Sequence, residues 1–347
     1  MPITSAANAA TPQEVQANCR KLVAEYYPHW SPDDPEQCKA LARFDAFVES
    51  NKGKGNVAIF DWDGTLYSEN VKIREYNDVV QRAAQPAWHI WGAKHMFTRP
   101  ELNLFPSFRT TETADVQIAH VLQKDDYLES KLEPKPEGYD KFSQIAVFEA
   151  GMTQQQMTDG IKEYLKDIDP CKYVIYSSMD VAQRLVDAGF SVWVVTGSNP
   201  YFVSTLVNAV EEKCTYKKDE KYELHLGSLP YSSASAHVIG NSAKLGTDNR
   251  FSNVYDDSLF TSVGHSELRI VEKEGKKILV KGYVEEKVGK PAVFCAGNSG
   301  GDLQMMEYIL SNEDAFGLFV DPRSGLEKML TPDNKSRTIE LHYSEPN

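Results

Sequence analysis

Apolar positions along the chain recur with two different periods. Val15, Cys19, Leu22 and Val23, then Cys38, Leu41, Phe44 and Phe47, fall at helical spacing, so residues 1–50 read as a helical segment. Two prolines and two aspartates break it at Trp30–Pro35. After a turn at Asn51–Gly55, the apolar run Val57-Ala58-Ile59-Phe60 stops on Asp61, which predicts a buried strand ending in charge. From about Tyr67 to Pro170 the pattern is mainly helical and rich in aromatic residues, with loops at Thr98–Ser107 and Glu133–Gly138. Thr153 and Gln156 stand there at capping-box spacing, just after Gly151. Strand character returns at Ser191–Val195. Thr196-Gly197-Ser198-Asn199-Pro200 follows, then a helix carrying Val203, Leu206, Val207 and Val210, with Asn199 as N-cap and Pro200 as first helical residue. Short alternating segments within 214–280, Leu268–Val271 and Lys277–Val280 around Gly275, predict hairpins. Pro291–Ala296 and Phe316–Val320 are further buried strands.

Strands alternating with helices predict an α/β fold, a Rossmann-like doubly wound parallel sheet. Residues 51–66 and 171–347 would form its core, and 67–170 an inserted, mainly helical cap.

Composition narrows the class. The 347 residues allow one large domain or two modest ones. With 41% hydrophobic and 25% charged residues, wholesale disorder and collagen-like or membrane-spanning chains are set aside. The net charge of −13 repels nucleic acid and anionic membrane surfaces, and no Lys/Arg run supplies a basic patch, so neither is an expected partner. Met1–Ala10 lacks the apolar region of a secretory signal and no stretch reaches transmembrane length. Cytoplasm is the default, with a mature secreted or periplasmic form left open. The five cysteines show neither a CxxC pair nor a deaminase arrangement, so structural zinc is not expected. A Cys19–Cys38 bridge clipping the N-terminal helices stands open beside the commoner reading of scattered buried thiols. The eight histidines show no HExxH-type spacing.

Ligands of a doubly wound sheet gather at the carboxyl ends of its strands. Three predicted strands end there on polar residues: Asp61-Trp62-Asp63-Gly64-Thr65, Thr196-Gly197, and Gly297-Asn298-Ser299-Gly300-Gly301-Asp302. Side chains two apart on an extended chain point the same way, so Asp61 and Asp63 can face one site.

These segments resemble a known family. Val57–Thr65 followed by Leu66 resembles the first motif, hhhhDxDGT, of haloacid dehalogenase superfamily phosphatases, and Thr196 ending an apolar strand resembles the second. Lys281-Gly282-Tyr283-Val284-Glu285-Glu286-Lys287-Val288 is similar to the lysine-headed helix of the phosphoserine phosphatase-like and phosphorylcholine phosphatase-like branch. Gly297–Asp302, followed by Leu303-Gln304-Met305-Met306, is similar to that branch's fourth motif, GDxxxD. The four stand in the family's order, and together they weigh far more than any one alone.

The resemblance implies a Mg²⁺-dependent phosphatase acting on a small phosphorylated metabolite through an aspartyl-phosphate. Asp61 is then the nucleophile, and Asp63 the general acid and later the base. Thr196 holds a phosphoryl oxygen, Lys281 neutralises the charge that Asp61 shares with the phosphate, and Thr65 and Gly197 line the phosphate site. Asp61, Asp63 through its carbonyl, Asn298 and Asp302 hold the metal. Glu69 falls near the position from which that branch reaches its substrate's amine, and a surface glutamate is an equal reading.

The chemistry has its own logic. A phosphomonoester dianion repels a carboxylate unless a cation offsets the charge, and Mg²⁺ with oxygen ligands meets that need. An alkoxide leaving group needs a proton whereas chloride does not, so Asp63 favours phosphoester hydrolysis over dehalogenation. P-type ATPases share an aspartyl-phosphate but need membrane helices.

The chain departs from the family at Asn298, where the motif has an acid, and at Gly300. An amide oxygen ligates Mg²⁺ without contributing charge, so weaker metal binding is expected. A phosphotransferase of the same fold, or a catalytically weak binding or regulatory protein, remains an alternative. Among the nearby Lys276, Lys277, Lys287 and Lys290, a solvated lysine face is the ordinary reading, and Lys281 is preferred to Lys287 for the site. Tyr76, Trp88, Trp91 and Phe97 suit a cationic headgroup such as choline or ethanolamine through cation–π attraction, packing within the cap being the commoner use. Phe148–Thr153 resembles a cap hinge, although Gly151 and Thr153 suffice for a plain helix start.

Overall fold

Strand β1 (Val57–Phe60) is buried at all four positions because both of its faces are covered. Ala58 and Phe60 enter one hydrophobic cluster, Val57 and Ile59 another. The structure, a computed structural model, describes residues 12–72, 80–82, 84–106, 113, 148–265, 267 and 270–343. The predicted loop at Glu133–Gly138, Tyr76, the Phe97 side chain, and Leu268 and Arg269 of the predicted hairpin lie outside the described residues.

Six parallel strands form the central sheet. They are β1, β2 (Ser191–Val195), β3 (Val238–Ile239), β4 (Ala292–Gly297), β5 (Phe316–Val320) and β6 (Thr338–Leu341), in the spatial order β6-β5-β4-β1-β2-β3. This is the Rossmann-like α/β arrangement that the alternation predicts. The order reverses between β1 and β4, where Phe60 lies opposite Ala296, and in a doubly wound sheet the ligand crevice lies there, beyond the carboxyl ends. Strands β3 and β6 escape a sequence reading: one has two residues, and the other mixes buried Thr338, Ile339 and Leu341 with exposed Glu340.

On one face lie α1 (Pro12–Tyr26) and α2 (Pro35–Asn51), the latter capped by Asp34, whose carboxylate accepts the Glu36 and Gln37 N–H groups. Phe44 of α2 packs on Phe294 and Phe316 at 5.6 and 5.4 Å between centroids. Cys19 and Cys38 are joined in a disulfide, so the buried-thiol reading is corrected there, and Cys171 is joined to Cys214. Only Cys295 is free, and it is buried. Each bridged pair brings its Cα atoms within 5.3 Å, a proximity that chain folding decides and cysteine spacing does not reveal.

After β1, residues 70–72 pair antiparallel with 80–82, and α3 (Ala84–Thr98) and α4 (Gln154–Asp167) follow. Helix α4 begins with the predicted capping box of Thr153 and Gln156. Helices α5 (Tyr176–Asp187) and α6 (Pro200–Lys213) complete this side; Asn199 caps α6 as predicted. Trp88 of α3 stacks on Phe202 of α6, and the Trp91 indole donates to Asp167 at 2.8 Å. Both indoles therefore serve packing.

The opposite face carries α7 (Glu274–Leu279), which runs through a π-turn at Val280–Val284 into Glu285–Val288, and α8 (Leu303–Leu310). Antiparallel ribbons do occur at 215–221 and 243–255, but Lys277–Val280 is helical, which corrects the hairpin predicted there. The β-branched Ile278 and Val280 suggest a strand, yet the buried set is Gly275, Lys276, Leu279, Val280 and Val284, a helical spacing disguised by a lysine. Among the described residues no helix is long and apolar enough to cross a membrane.

Candidate active site

Asp61 is the first residue beyond β1, and its N–H donates to the Ala296 carbonyl at 3.0 Å, which fixes it at the crevice. Trp62 then turns inward and stacks on Tyr67, so the flanking aspartates share the other side. Gly64 turns the chain with φ +77°, and a Cβ there would stand 1.8 Å from Asn298 Nδ2. Both the backbone and the close approach of Asn298 require glycine.

The Asp61 carboxylate is buried; its Oδ1 accepts from Lys276 Nζ at 2.6 Å, and its Oδ2 from Thr65 Oγ1 at 3.3 Å. The same ammonium donates to Asp302 Oδ1 at 2.7 Å. Asp302 Oδ2 accepts the N–H groups of Asn298 and Ser299, each at 3.1 Å, so both of its oxygens are engaged. Burial, and next the charge of Asp302, push the Asp61 carboxyl up to about 7 against the pull of Lys276. Burial works against the Lys276 ammonium, but Asp302 and Asp61 outweigh it and hold its pKa above the ordinary lysine value.

Asp63 is partly exposed. Its Oδ2 accepts from Ser198 Oγ at 2.6 Å, and its Oδ1 from the Ala84 N–H, the first of α3, at 3.3 Å. Burial raises its carboxyl to about 6 despite these two donors. A carboxyl raised this far can release and recover a proton near neutral pH.

Of the other predicted residues, Thr196 is buried at the end of β2, where its Oγ1 accepts the Ser198 N–H at 3.0 Å. The Gly197 carbonyl accepts from Asn241 Nδ2 at 2.7 Å. Glu69 is paired with Arg323, whose N–H also donates to the Asn298 carbonyl at 3.0 Å. Lys281 is not in the site. It is exposed, with its Nζ 5.9 Å from the Tyr308 ring centroid. The lysine that meets Asp61 is Lys276, five residues earlier in the chain; Lys277–Val280 is helical, so the helix starts earlier than a strand there implies. Ser198 was missed as well, although it lies inside the segment that was singled out.

A hard cation is implied by the resemblance, and the donors can be tested for it. Among the described residues no group of three His, Cys, Asp or Glu side chains is arranged to hold a metal ion. The crevice does offer oxygen donors alone, with three carboxylates against one ammonium in Asp61, Asp63, Asp302 and Lys276, leaving two negative charges when all are ionised. Mg²⁺ commonly takes one or two carboxylates and completes its shell with water and substrate phosphate, so this donor set fits. Asp61, the Asp63 carbonyl and Asn298 would hold it, with Asp302, which like Asp61 already accepts at both oxygens, beside them.

Neither a protein-family model nor a curated protein matches the chain. Among solved structures, it is similar to a conserved functionally unknown protein from Anaerococcus prevotii DSM 20548, with 13% sequence identity, a TM-score of 0.49 and coverage of 88% of this chain and 91% of that one. So distant a likeness says nothing of function.

Proposed function

We propose that this protein hydrolyses a small phosphomonoester through an aspartyl-phosphate on Asp61, in the manner of haloacid dehalogenase superfamily phosphatases. One observation carries the reading: Lys276 bonds at 2.6 and 2.7 Å both to Asp61, more than two hundred residues earlier in the chain, and to Asp302, joining the carboxyl ends of β1 and β4. Asp63 stands two residues along the same crevice. An ion pair whose only task is stability rarely assembles three buried charges at a topological switch point.

In the first step an Asp61 oxygen forms a bond to phosphorus and the P–O ester bond breaks. Asp63 gives its proton to the departing alcohol oxygen. In the second, Asp63 takes a proton from water, the water oxygen attacks phosphorus, and the acyl phosphate bond breaks to release inorganic phosphate and restore Asp61. Lys276 offsets the charge on Asp61 throughout, and the Thr196 hydroxyl donates to a phosphoryl oxygen. A bound Mg²⁺ supplies charge neutralisation and orientation of the phosphoryl group. The chain between residues 67 and 170 is read as the cap that shapes the substrate side.

The test is phosphate release from p-nitrophenyl phosphate and a panel of small phosphomonoesters, with and without Mg²⁺. Turnover that needs Mg²⁺ and is lost in Asp61→Asn is expected. Inactivity of both proteins across the panel would sink the reading in favour of a binding role, and phosphate passing to an added alcohol would indicate a transferase. The two disulfides favour an oxidising compartment over the cytoplasmic default.

A further inference from the structure

One buried carboxyl lies where the insertion, the α6 loop and the crevice converge. Glu149, fully buried, accepts from Gln85 Nε2 at 3.1 Å on Oε1 and from Asn199 Nδ2 on Oε2. Neither amide is free to turn over. Gln85 Oε1 already accepts the Asn199 N–H at 2.8 Å, and Asn199 Oδ1 accepts the Tyr201 and Phe202 N–H groups at 2.7 and 3.2 Å. Both amides must therefore present their NH₂ groups to residue 149; a carboxyl has lone pairs on both oxygens to receive them, whereas an amide would set its own NH₂ against one of them. His89 Nε2, at 3.8 Å, is too distant to take over.

The chain neighbours of these two amides touch the proposed acid. Ala84, one residue before Gln85, donates its N–H to Asp63 Oδ1, and Ser198, one residue before Asn199, donates its hydroxyl to Asp63 Oδ2. The groups that Glu149 holds are thus each one residue beyond a group that aims Asp63. We infer that Glu149 is a positioning residue for Asp63: it locks Gln85 and Asn199, which sets the Ala84 N–H and the Ser198 hydroxyl, which together orient the carboxyl toward the leaving oxygen. The inference rests on the phosphatase reading for its kinetic consequence but not for its geometry.

Glu149→Gln tests it, because it places an NH₂ group against one of the two amide donors while keeping shape. p-Nitrophenolate departs with little need of a proton, whereas an alkoxide needs one. A positioning role through Asp63 therefore predicts a kcat/KM loss of about 100-fold with glycerol 2-phosphate and only about threefold with p-nitrophenyl phosphate, because kcat/KM reports the step in which the alcohol departs and not the later attack of water that both esters share. Equal losses on the two substrates would overturn the inference, since general structural damage does not distinguish leaving groups. If Glu149→Gln does not fold, Gln85→Met cuts one arm of the lock and should show the same bias in smaller measure. Should the wild type hydrolyse no ester of the panel, the phosphatase reading fails by itself. A crystal structure of the variant then decides the positioning claim: Ser198 Oγ out of hydrogen-bond reach of Asp63 supports it, and an unchanged Asp63 environment overturns it.

Discussion

Lys276 holds two buried carboxylates at 2.6 and 2.7 Å, and no other cation bonds to either of them among the described residues. Lys276→Met should cost about 3–5 kcal/mol of stability, because removing one partner leaves buried charges uncompensated. Lys281→Met, on an exposed side chain, should shift stability by less than about 0.5 kcal/mol. Urea unfolding of both variants checks this, and equal effects would mean that Lys276 is not the buried partner of Asp61. The contrast also shows where local reading stops. That a lysine belongs with Asp61 follows from charge chemistry; which lysine depends on a helix whose buried face includes Lys276 itself. Ser198 and Glu149 are similar cases, since their partners Asp63, Gln85 and Asn199 are distant in sequence.

At the scale of elements, the sequence was most legible where the signal is local. The buried run of β1, the Asn199–Pro200 start of α6 and the capping box of α4 each depend on a few adjacent residues, and each appears where expected. The joints between elements were not legible. Cys171, in the turn ahead of α5, is bonded to Cys214 at the end of α6 across a separation of 43 residues. Closing a loop of that length restricts the unfolded chain, so Cys171→Ala/Cys214→Ala should lower stability by about 4 kcal/mol in the chain-entropy model. A urea midpoint that does not move, for the double variant or for the reduced protein, would show that the bridge contributes nothing. Helices α2 and α5 are further held by Arg184, which donates from Nε and Nη2 to Asp45 Oδ1 at 3.0 and 2.9 Å.

For the molecule as a whole, the buried Glu149 carries a pH dependence of stability. Burial raises its carboxyl well above the usual range, and the donors Asn199 and Gln85 only partly oppose this. Its titratable neighbour His89 is pushed down to about 3 by burial, and stays neutral from pH 5 to 8. A group that binds its proton more tightly folded than unfolded gives stability that is complete below the unfolded pKa and is lost as pH rises through the folded one. Glu149→Gln cannot titrate. The stability of wild type relative to this variant should therefore fall between pH 5 and pH 8 in urea melts, and a constant difference would contradict the raised carboxyl.

By itself the sequence determined the alternation of strands and helices, the caps, and the polar residues that end β1, β2 and β4, because hydrophobic period and capping chemistry act over a few residues. Only the tertiary structure decided that Lys276 is the buried cation, that four cysteines pair, and that Glu149 meets Gln85 and Asn199. Such contacts join distant segments, and their geometry comes from how the sheet and its helices pack, which no local pattern records.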